Sequence, residues 1–198
     1  VRYALNKERI PILLTCHGIF YRGEAEGRLR DIHLGNIHLA DYYSGLTEES
    51  RLEYESLLGI EKKNVCVIPN GVDCKKFYYD SKKRGEIRGR MHLSDDTKVF
   101  ITVASIQERK GQLEFVKLLS KIDFNYQYWL VGRGPDEHII KEFITENGLQ
   151  DRVILLGYKD SDELFGYYSA SDVYAHVSTM EGQALCEIEA RATGLRVI

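Results

Sequence analysis

Two glutamates, Glu181 and Glu189, stand eight positions apart near the end of the chain, in a segment that opens with Glu181-Gly182, continues through helix-forming residues to Thr193 and meets Gly194. An apolar run ending at Val177 precedes it and a second run begins at Leu195, so the order is strand, loop, helix, glycine stop, strand. With Ala184 to Thr193 helical, the helical period puts Leu185, Ile188, Glu189 and Ala192 on one face, while Glu187 and Arg191 point elsewhere. A carboxylate on a packing face is costly unless paired, so Glu189 needs a partner and Glu187 is expected to be solvated. A capped helix with one core ion pair would account for Glu189 alone. Glu181 argues for more, because eight helical residues rise about 12 Å and the free N–H groups of the first turn lie between the two carboxylates. Acceptor, anion hole, acceptor is an arrangement that suits a sugar, a diphosphate and a ribose.

A phosphate would also need a cation. Lys110 is the candidate, because Arg109-Lys110-Gly111 sits where a helix begins and where basic side chains and free amides converge on an anion. Two adjacent basic residues are more often simply solvated. Their place in the first loop of a regular domain favours the functional reading. No Gly-x-Gly-x-x-Gly and no Walker lysine occurs, which disfavours a standard dinucleotide oxidoreductase or P-loop phosphotransferase.

The elements that must position these residues follow a regular rhythm from Lys98 onward. Apolar runs at 99–103, 128–131, 153–156, 173–177 and 195–198 alternate with helical segments at 112–119, 136–146, 162–169 and 184–193, which predicts a parallel sheet with right-handed crossovers. The strands end in polar or glycine-bearing loops: Ser105 to Gly111, Gly132 to Pro135, Gly157-Tyr158 and Ser178 to Gly182. Ligands in such sheets bind beyond the carboxyl ends of the strands, so these four loops are expected to line one site. Earlier, 10–16 reads as a buried strand delivering His17 to a loop, 31–39 as a helix and 40–46 as a strand. Thr47 caps a helix that Gly59 closes, and 64–68 is a strand stopped by Pro69-Asn70-Gly71. From Lys75 to Asp96 the chain is polar and without clear periodicity, and the domain boundary is placed there.

With 198 residues, 43% hydrophobic and 29% charged, at net charge −3, the composition is that of a soluble globular chain of one or two small domains, with neither nucleic acid nor an anionic membrane favoured as partner. No apolar run is long enough to span a bilayer, and the charged first ten residues are no signal peptide. The first residue is not Met, which suggests a chain cut from something longer. Cys16, Cys66, Cys74 and Cys186 have no C-x-x-C spacing and read as reduced thiols of a cytosolic protein. His33 and His38 are about 140° apart around a helix and cannot easily share a metal.

Taken in order, Thr15-Cys-His17-Gly18, Val67-Ile-Pro-Asn-Gly-Val-Asp73 with Phe77, Arg109-Lys110-Gly111, Leu130-Val-Gly-Arg-Gly-Pro135, Asp151-Arg-Val153 with Leu156-Gly157, Ala170-Ser-Asp172, and Glu181-x7-Glu189-Ala190 followed by Gly194-Leu-Arg-Val-Ile198 resemble the retaining GT-B glycosyltransferases of group 1 (family 4). The resemblance covers nearly the whole chain. It implies an α/β, GT-B type fold with Rossmann-like doubly wound parallel sheets in two domains, both truncated. Residues 1–78 would be the C-terminal part of an N-terminal acceptor-side domain, 79–96 a linker, and 97–198 a donor-binding domain lacking its final elements.

The resemblance further implies transfer of a hexosyl group, with retention, from a UDP- or GDP-linked sugar to a glycan or lipid-linked acceptor, in cell-surface polysaccharide synthesis. Glu189 would accept from the donor ribose, and Glu181 would hold sugar hydroxyls near the anomeric carbon. Lys110 with the amides after Gly182, from Gln183, Ala184 and Leu185, would hold the diphosphate, and His17 would touch the donor sugar. Gly132, Gly134, Leu156, Gly157 and Tyr158 would frame the base. No metal and no cofactor is implied, since lysine, arginine and a helix N-terminus neutralise the leaving diphosphate. The setting would be cytoplasmic, with the inner face of the membrane as one location and peripheral contact with it in the parent. The chain departs from the family at Ala104-Ser105-Ile106, where many members carry an arginine, leaving Arg109 to supply that charge, and at Gln183 and Ala184, where glycine and an aromatic are usual. Two other readings share these residues: a nucleotide-sugar-binding module without transferase activity, and a GT-B nucleotide-sugar 2-epimerase, against which the Glu-x7-Glu and Pro-Asn-Gly-Val-Asp patterns argue.

Overall fold

The computed structural model of the chain describes residues 10–15, 39–179 and 181–198. These form two compact units: the first takes the described residues up to Asn70 together with Glu181–Gln183, and the second takes Gly71–Thr179 with Ala184–Ile198.

In the first unit β1 (Leu13–Thr15), β2 (Tyr42–Gly45) and β3 (Val65–Val67) form a parallel sheet in that order. Between β2 and β3 runs α1 (Glu48–Leu58), whose ends are built as the sequence predicts. The Thr47 hydroxyl accepts from the Ser50 amide at 3.2 Å, and Gly59 closes the helix in the left-handed region at φ 65°. Tyr54 and Tyr43 pack together with Val65 beneath it. The expected helix at 31–39 lies, but for Leu39, outside the described residues, and so does His17.

The second unit is a doubly wound sheet. Its parallel strands β4 (Lys98–Val103), β5 (Tyr126–Val131), β6 (Val153–Gly157), β7 (Val173–Tyr174) and β8 (Arg196–Val197) are ordered β6-β5-β4-β7-β8. The connections are α3 (Gln112–Leu119), α4 (Glu137–Glu146), α5 (Ser161–Ala170) and α6 (Leu185–Ala192), with α2 (Ser81–Arg90) preceding β4. Successive side chains of a strand face opposite layers, and both layers are apolar here. Val99, Ile101, Trp129 and Val131 join Phe77, Tyr167, Tyr168, Tyr174 and Ala190 on one face, while Tyr128, Leu130 and Val153 join Phe115, Val116, Ile140 and Ile144 on the other.

The stretch 79–96, expected as a linker, contains α2 and belongs to the second unit, which begins at Gly71. What fixes α2 is arginine more than apolar area. Arg84 donates to the Ser169 and Ser171 carbonyls and, at 2.8 Å, to Asp172 Oδ1. Arg88, buried, donates to the carbonyls of Ala170, Ser94 and Thr97 and lies 3.6 Å from Asp172 Oδ2, which also accepts from the Val99 amide. Asp172 thereby ties α2 to the junction of α5 with β7 and to the start of β4.

Candidate functional site

The order β6-β5-β4-β7-β8 reverses direction beside β4: the chain winds outward through β5 and β6, then crosses back to β7 and β8. The crevice outside the carboxyl ends of β4 and β7 is therefore the switch point, where ligands bind in open α/β sheets.

Within this unit the loops expected to line one site are hydrogen-bonded in a row. The Gly132 amide donates to the Gly157 carbonyl at 2.9 Å, the Ile106 amide to Arg133 at 3.1 Å, and the Thr179 amide to Arg109 at 3.0 Å. Gly132 and Gly134 have a structural role in this row. A Cβ on either would stand 2.0 Å from a backbone carbonyl oxygen, of Ala104 and Ile106 respectively, and Gly132 has φ 137°. Only glycine lets the β4 and β5 loops approach so closely. Gly111 serves the β4 and β7 loops in the same way: its φ is 67°, and a Cβ there would lie 2.2 Å from the Val177 carbonyl oxygen.

Arg109 and Lys110 close a short 3-10 turn, Glu108–Lys110, ahead of α3. Arg109 is exposed and its carbonyl receives the Ser178 and Thr179 hydroxyls as well as the Thr179 amide. Lys110 is half-buried, and burial, then repulsion from Arg109, pulls its pKa below the usual 10.5, with the Cys186 thiol opposing. Cys186 lies in the first turn of α6, a helix whose leading amides lack intrahelical partners.

Helix α6 is rotated from its expected orientation. The sequence puts Leu185, Ile188, Glu189 and Ala192 inward, yet Ala190 and Thr193 are the buried positions, Cys186 and Ala192 pack against the core, and Leu185 is 52% exposed. Small side chains face the sheet because the floor beneath them is already filled by Tyr168 and Tyr174. Glu189 lies at the edge of this face, half-buried, with Oε2 3.1 Å from the Tyr168 hydroxyl. Glu187, expected to be solvated, instead pairs with Arg191 at 2.8 Å and is only 26% exposed.

Burial raises the Glu189 pKa above the usual 4.5, against the opposing effects of Tyr168 and Lys76. The unfolded chain ionises first, so the folded state holds more protons between the two values. Stability falls as pH rises through that window, and the penalty is fully present above it. Glu189→Gln is therefore expected to leave the melting temperature of the unliganded chain at pH 7 equal or higher; a lower one would contradict this account of the carboxylate.

The remaining expected residues are distributed as follows. Ala184 is the N-cap of α6 in extended conformation. Glu181, Gly182 and Gln183 group with the first unit, where Gln183 accepts from the Asn70 amide at 2.6 Å and receives the Asn70 side-chain amide on its carbonyl. Ser105 is exposed, its hydroxyl accepting from Gln107 and its carbonyl from the buried Gln112. Leu156 packs against the core, while Tyr158, 70% exposed, extends from the end of β6. Gly157 adopts φ 68°.

Two residues not singled out from sequence also lie here. His176 follows β7, is half-buried and stacks on Tyr174 at 6.2 Å. Burial holds its pKa below 6.5, opposed by Glu187 and reinforced by Lys110. Its position just past a strand at the switch point was the available signal. Tyr168 sits in the middle of a helix whose sequence suggests nothing but packing. Among the described residues no group of three or more His, Cys, Asp or Glu side chains is arranged to hold a metal ion, and Cys66, Cys74 and Cys186 are free thiols.

A family model described as glycosyl transferases group 1 matches residues 83–198, and one described as Glycosyltransferase Family 4 matches residues 1–76. The chain is 30% identical over 146 residues to the alpha-monoglucosyldiacylglycerol synthase of Streptococcus pneumoniae, a match covering 70% of this chain and 32% of that protein. It is likewise 30% identical over 148 residues to the UDP-Gal:alpha-D-GlcNAc-diphosphoundecaprenol alpha-1,3-galactosyltransferase of Escherichia coli, covering 71% of this chain and 38% of the relative. Its backbone matches that of Anabaena Alr3699/HepE, solved in complex with UDP, with a TM-score of 0.85 at 22% identity, over 99% of this chain and 55% of that one. The chain thus spans roughly a third of the length of these two relatives and about half of that structure.

Proposed function

This chain belongs to the glycosyl transferases group 1, and from that premise we propose that its second unit is the donor site of a hexosyltransferase, acting with retention of configuration on a UDP- or GDP-linked sugar. What supports the reading is the switch point between β4 and β7: Lys110 closes the turn that follows β4, α6 connects β7 to β8, and α6 carries the half-buried carboxylate of Glu189. In this reading Glu189 accepts from the ribose hydroxyls, Lys110 and the first amides of α6 hold the diphosphate, and Arg109 supplies the charge missing at Ser105. Gly132, Gly134, Leu156, Gly157 and Tyr158 frame the base.

The chemistry asked of the site is departure of the nucleoside diphosphate through an oxocarbenium-like transition state. Negative charge builds on the leaving phosphate, and preorganised donors aimed at it lower the barrier. A lysine and a helix terminus supply such donors without a divalent ion. The acceptor is a glycan or a lipid-linked molecule. The diphosphoundecaprenol-linked sugar in the name of the E. coli relative and the glycolipid product in that of the pneumococcal one support the second, and the proposed setting is cytoplasmic, at the inner face of the membrane. Among the described residues no helix is long and apolar enough to cross a membrane. Because the chain covers only part of its relatives, the 198 residues alone are expected to bind donor without transferring it.

A thermal-shift screen of UDP- and GDP-sugars tests this. A ligand bound only by the folded state at 100 times its Kd adds about 2.7 kcal/mol of stability. One donor class is expected to raise the melting temperature, and EDTA is expected to leave that rise intact. No rise with any nucleotide-sugar would remove the proposal, and a rise abolished by EDTA would remove its metal-free part.

A further inference from the structure

The Tyr168 hydroxyl meets α6 at two points, 3.1 Å from Glu189 Oε2 and 3.2 Å from the Cys186 carbonyl oxygen. The ring has no freedom to move away: Tyr168 is fully buried, with Phe77 edge-on at 6.1 Å and Tyr174 at 6.2 Å. A phenol has one proton to give, and of its two acceptors the charged one makes the stronger bond. We propose that Tyr168 is a positioning residue: its hydroxyl holds one oxygen of the Glu189 carboxylate and thereby presents the remaining lone pairs to the ribose hydroxyls of a nucleoside diphosphate. The proposal rests on the reading of Glu189 as the ribose acceptor.

Several features support it. Half-buried on a short helix, Glu189 would otherwise sample more than one rotamer, and a ribose diol asks for a fixed pair of acceptor directions. Among the described residues, Tyr168 is the one side chain hydrogen-bonded to this carboxylate. Burial, followed by the nearby Cys186, Tyr174 and Glu189, drives the tyrosine pKa far up, so the hydroxyl keeps its proton and remains a donor. Among the described residues, the titratable groups whose charge or hydrogen bond acts on Glu189 are Tyr168 from α5, Cys186 on its own helix and Lys76 from the segment before α2.

The test is discrimination between ribose and dideoxyribose. UDP, GDP and their 2′,3′-dideoxy counterparts are titrated into the 198-residue chain. The wild type is expected to prefer the ribo form by about tenfold or more, the scale of one hydrogen bond to a charged group. Glu189→Gln should lose that preference. Tyr168→Phe should lose most of it while leaving the affinity for the dideoxy form unchanged, and adding it to Glu189→Gln should change nothing further. The wild-type preference should also decay as the pH falls and Glu189 takes a proton. In Tyr168→Phe that midpoint should move up, because the hydroxyl favours the carboxylate form. With 3-fluorotyrosine installed at position 168, a stronger donor of the same shape, it should move down. This second variant decides the matter if Tyr168→Phe does not fold.

If Glu189→Gln loses the preference but Tyr168→Phe keeps both preference and midpoint, or the fluorotyrosine midpoint is unmoved, Tyr168 has no positioning role and the reading of Glu189 stands. If neither diphosphate binds, or Glu189→Gln keeps the preference, the reading fails and the proposal with it.

Discussion

Replacing Lys110 with alanine is expected to weaken the binding of UDP or GDP about 30-fold at low salt, some 2 kcal/mol, the scale of a charged hydrogen bond lost from a partly buried site. The effect should shrink as salt is added, since part of it is attraction between charges that ions screen. The pH dependence follows from the environment of the lysine. Burial and Arg109 place its pKa below 10.5, so in the unliganded chain it surrenders its proton earlier than an ordinary lysine. A bound diphosphate favours the charged form and raises that pKa again. Binding should therefore take up protons on the alkaline side, and affinity should fall as the pH rises through the lowered value. Titration in buffers of different ionisation enthalpy measures that uptake, which Lys110→Ala should abolish.

The second large effect is on stability. Asp172→Ala is expected to cost about 3–5 kcal/mol, the range for removing one partner of a buried ion pair. Asp172 is 18% exposed and serves Arg84, Arg88 and the Val99 amide together. Alanine would leave Arg88, 8% exposed, without its counter-charge and the first amide of β4's buried core position without an acceptor. Urea unfolding should show a large drop in midpoint with the slope unchanged. A loss below about 1 kcal/mol would mean that α2 is held by its carbonyl contacts alone.

This same network explains what was legible in the sequence and what was not. The second unit could be read because its strands are buried on both faces and its helices alternate with them; α3 lies at 112–119 as expected, and Thr47 and Gly59 mark the ends of α1. Helix α2, Ser-Lys-Lys-Arg-Gly-Glu-Ile-Arg-Gly-Arg, was illegible because it carries one aliphatic residue, Ile87, and two glycines. Its anchors are guanidinium groups bonded to carbonyls remote in sequence, a pattern that hydrophobic periodicity does not register. The Ala170-Ser-Asp172 motif was visible, but its job was not, because the arginines that define it are more than eighty residues earlier.

The candidate site was legible in type and less so in detail. Glu189 was singled out as a carboxylate near the packing face that needed a partner, and Tyr168 is that partner. The face itself was misjudged because large apolar residues, Leu185 and Ile188, were weighted over the small ones, Cys186 and Ala190, that fit against a tyrosine floor. Gly132 and Gly134 read as ligand-contacting positions, whereas their immediate demand is the approach of one loop backbone to another. Nothing local marks His176, which matters by virtue of the strand order.

The central claim is that Lys110 and Glu189 hold opposite ends of one nucleoside diphosphate at the switch point. Titration calorimetry of UDP and GDP into the wild type, Glu189→Ala and Lys110→Ala tests it most directly. One diphosphate is expected to bind the wild type at one site, more weakly Glu189→Ala, and most weakly Lys110→Ala at low salt. Affinity unchanged in both variants would contradict the account.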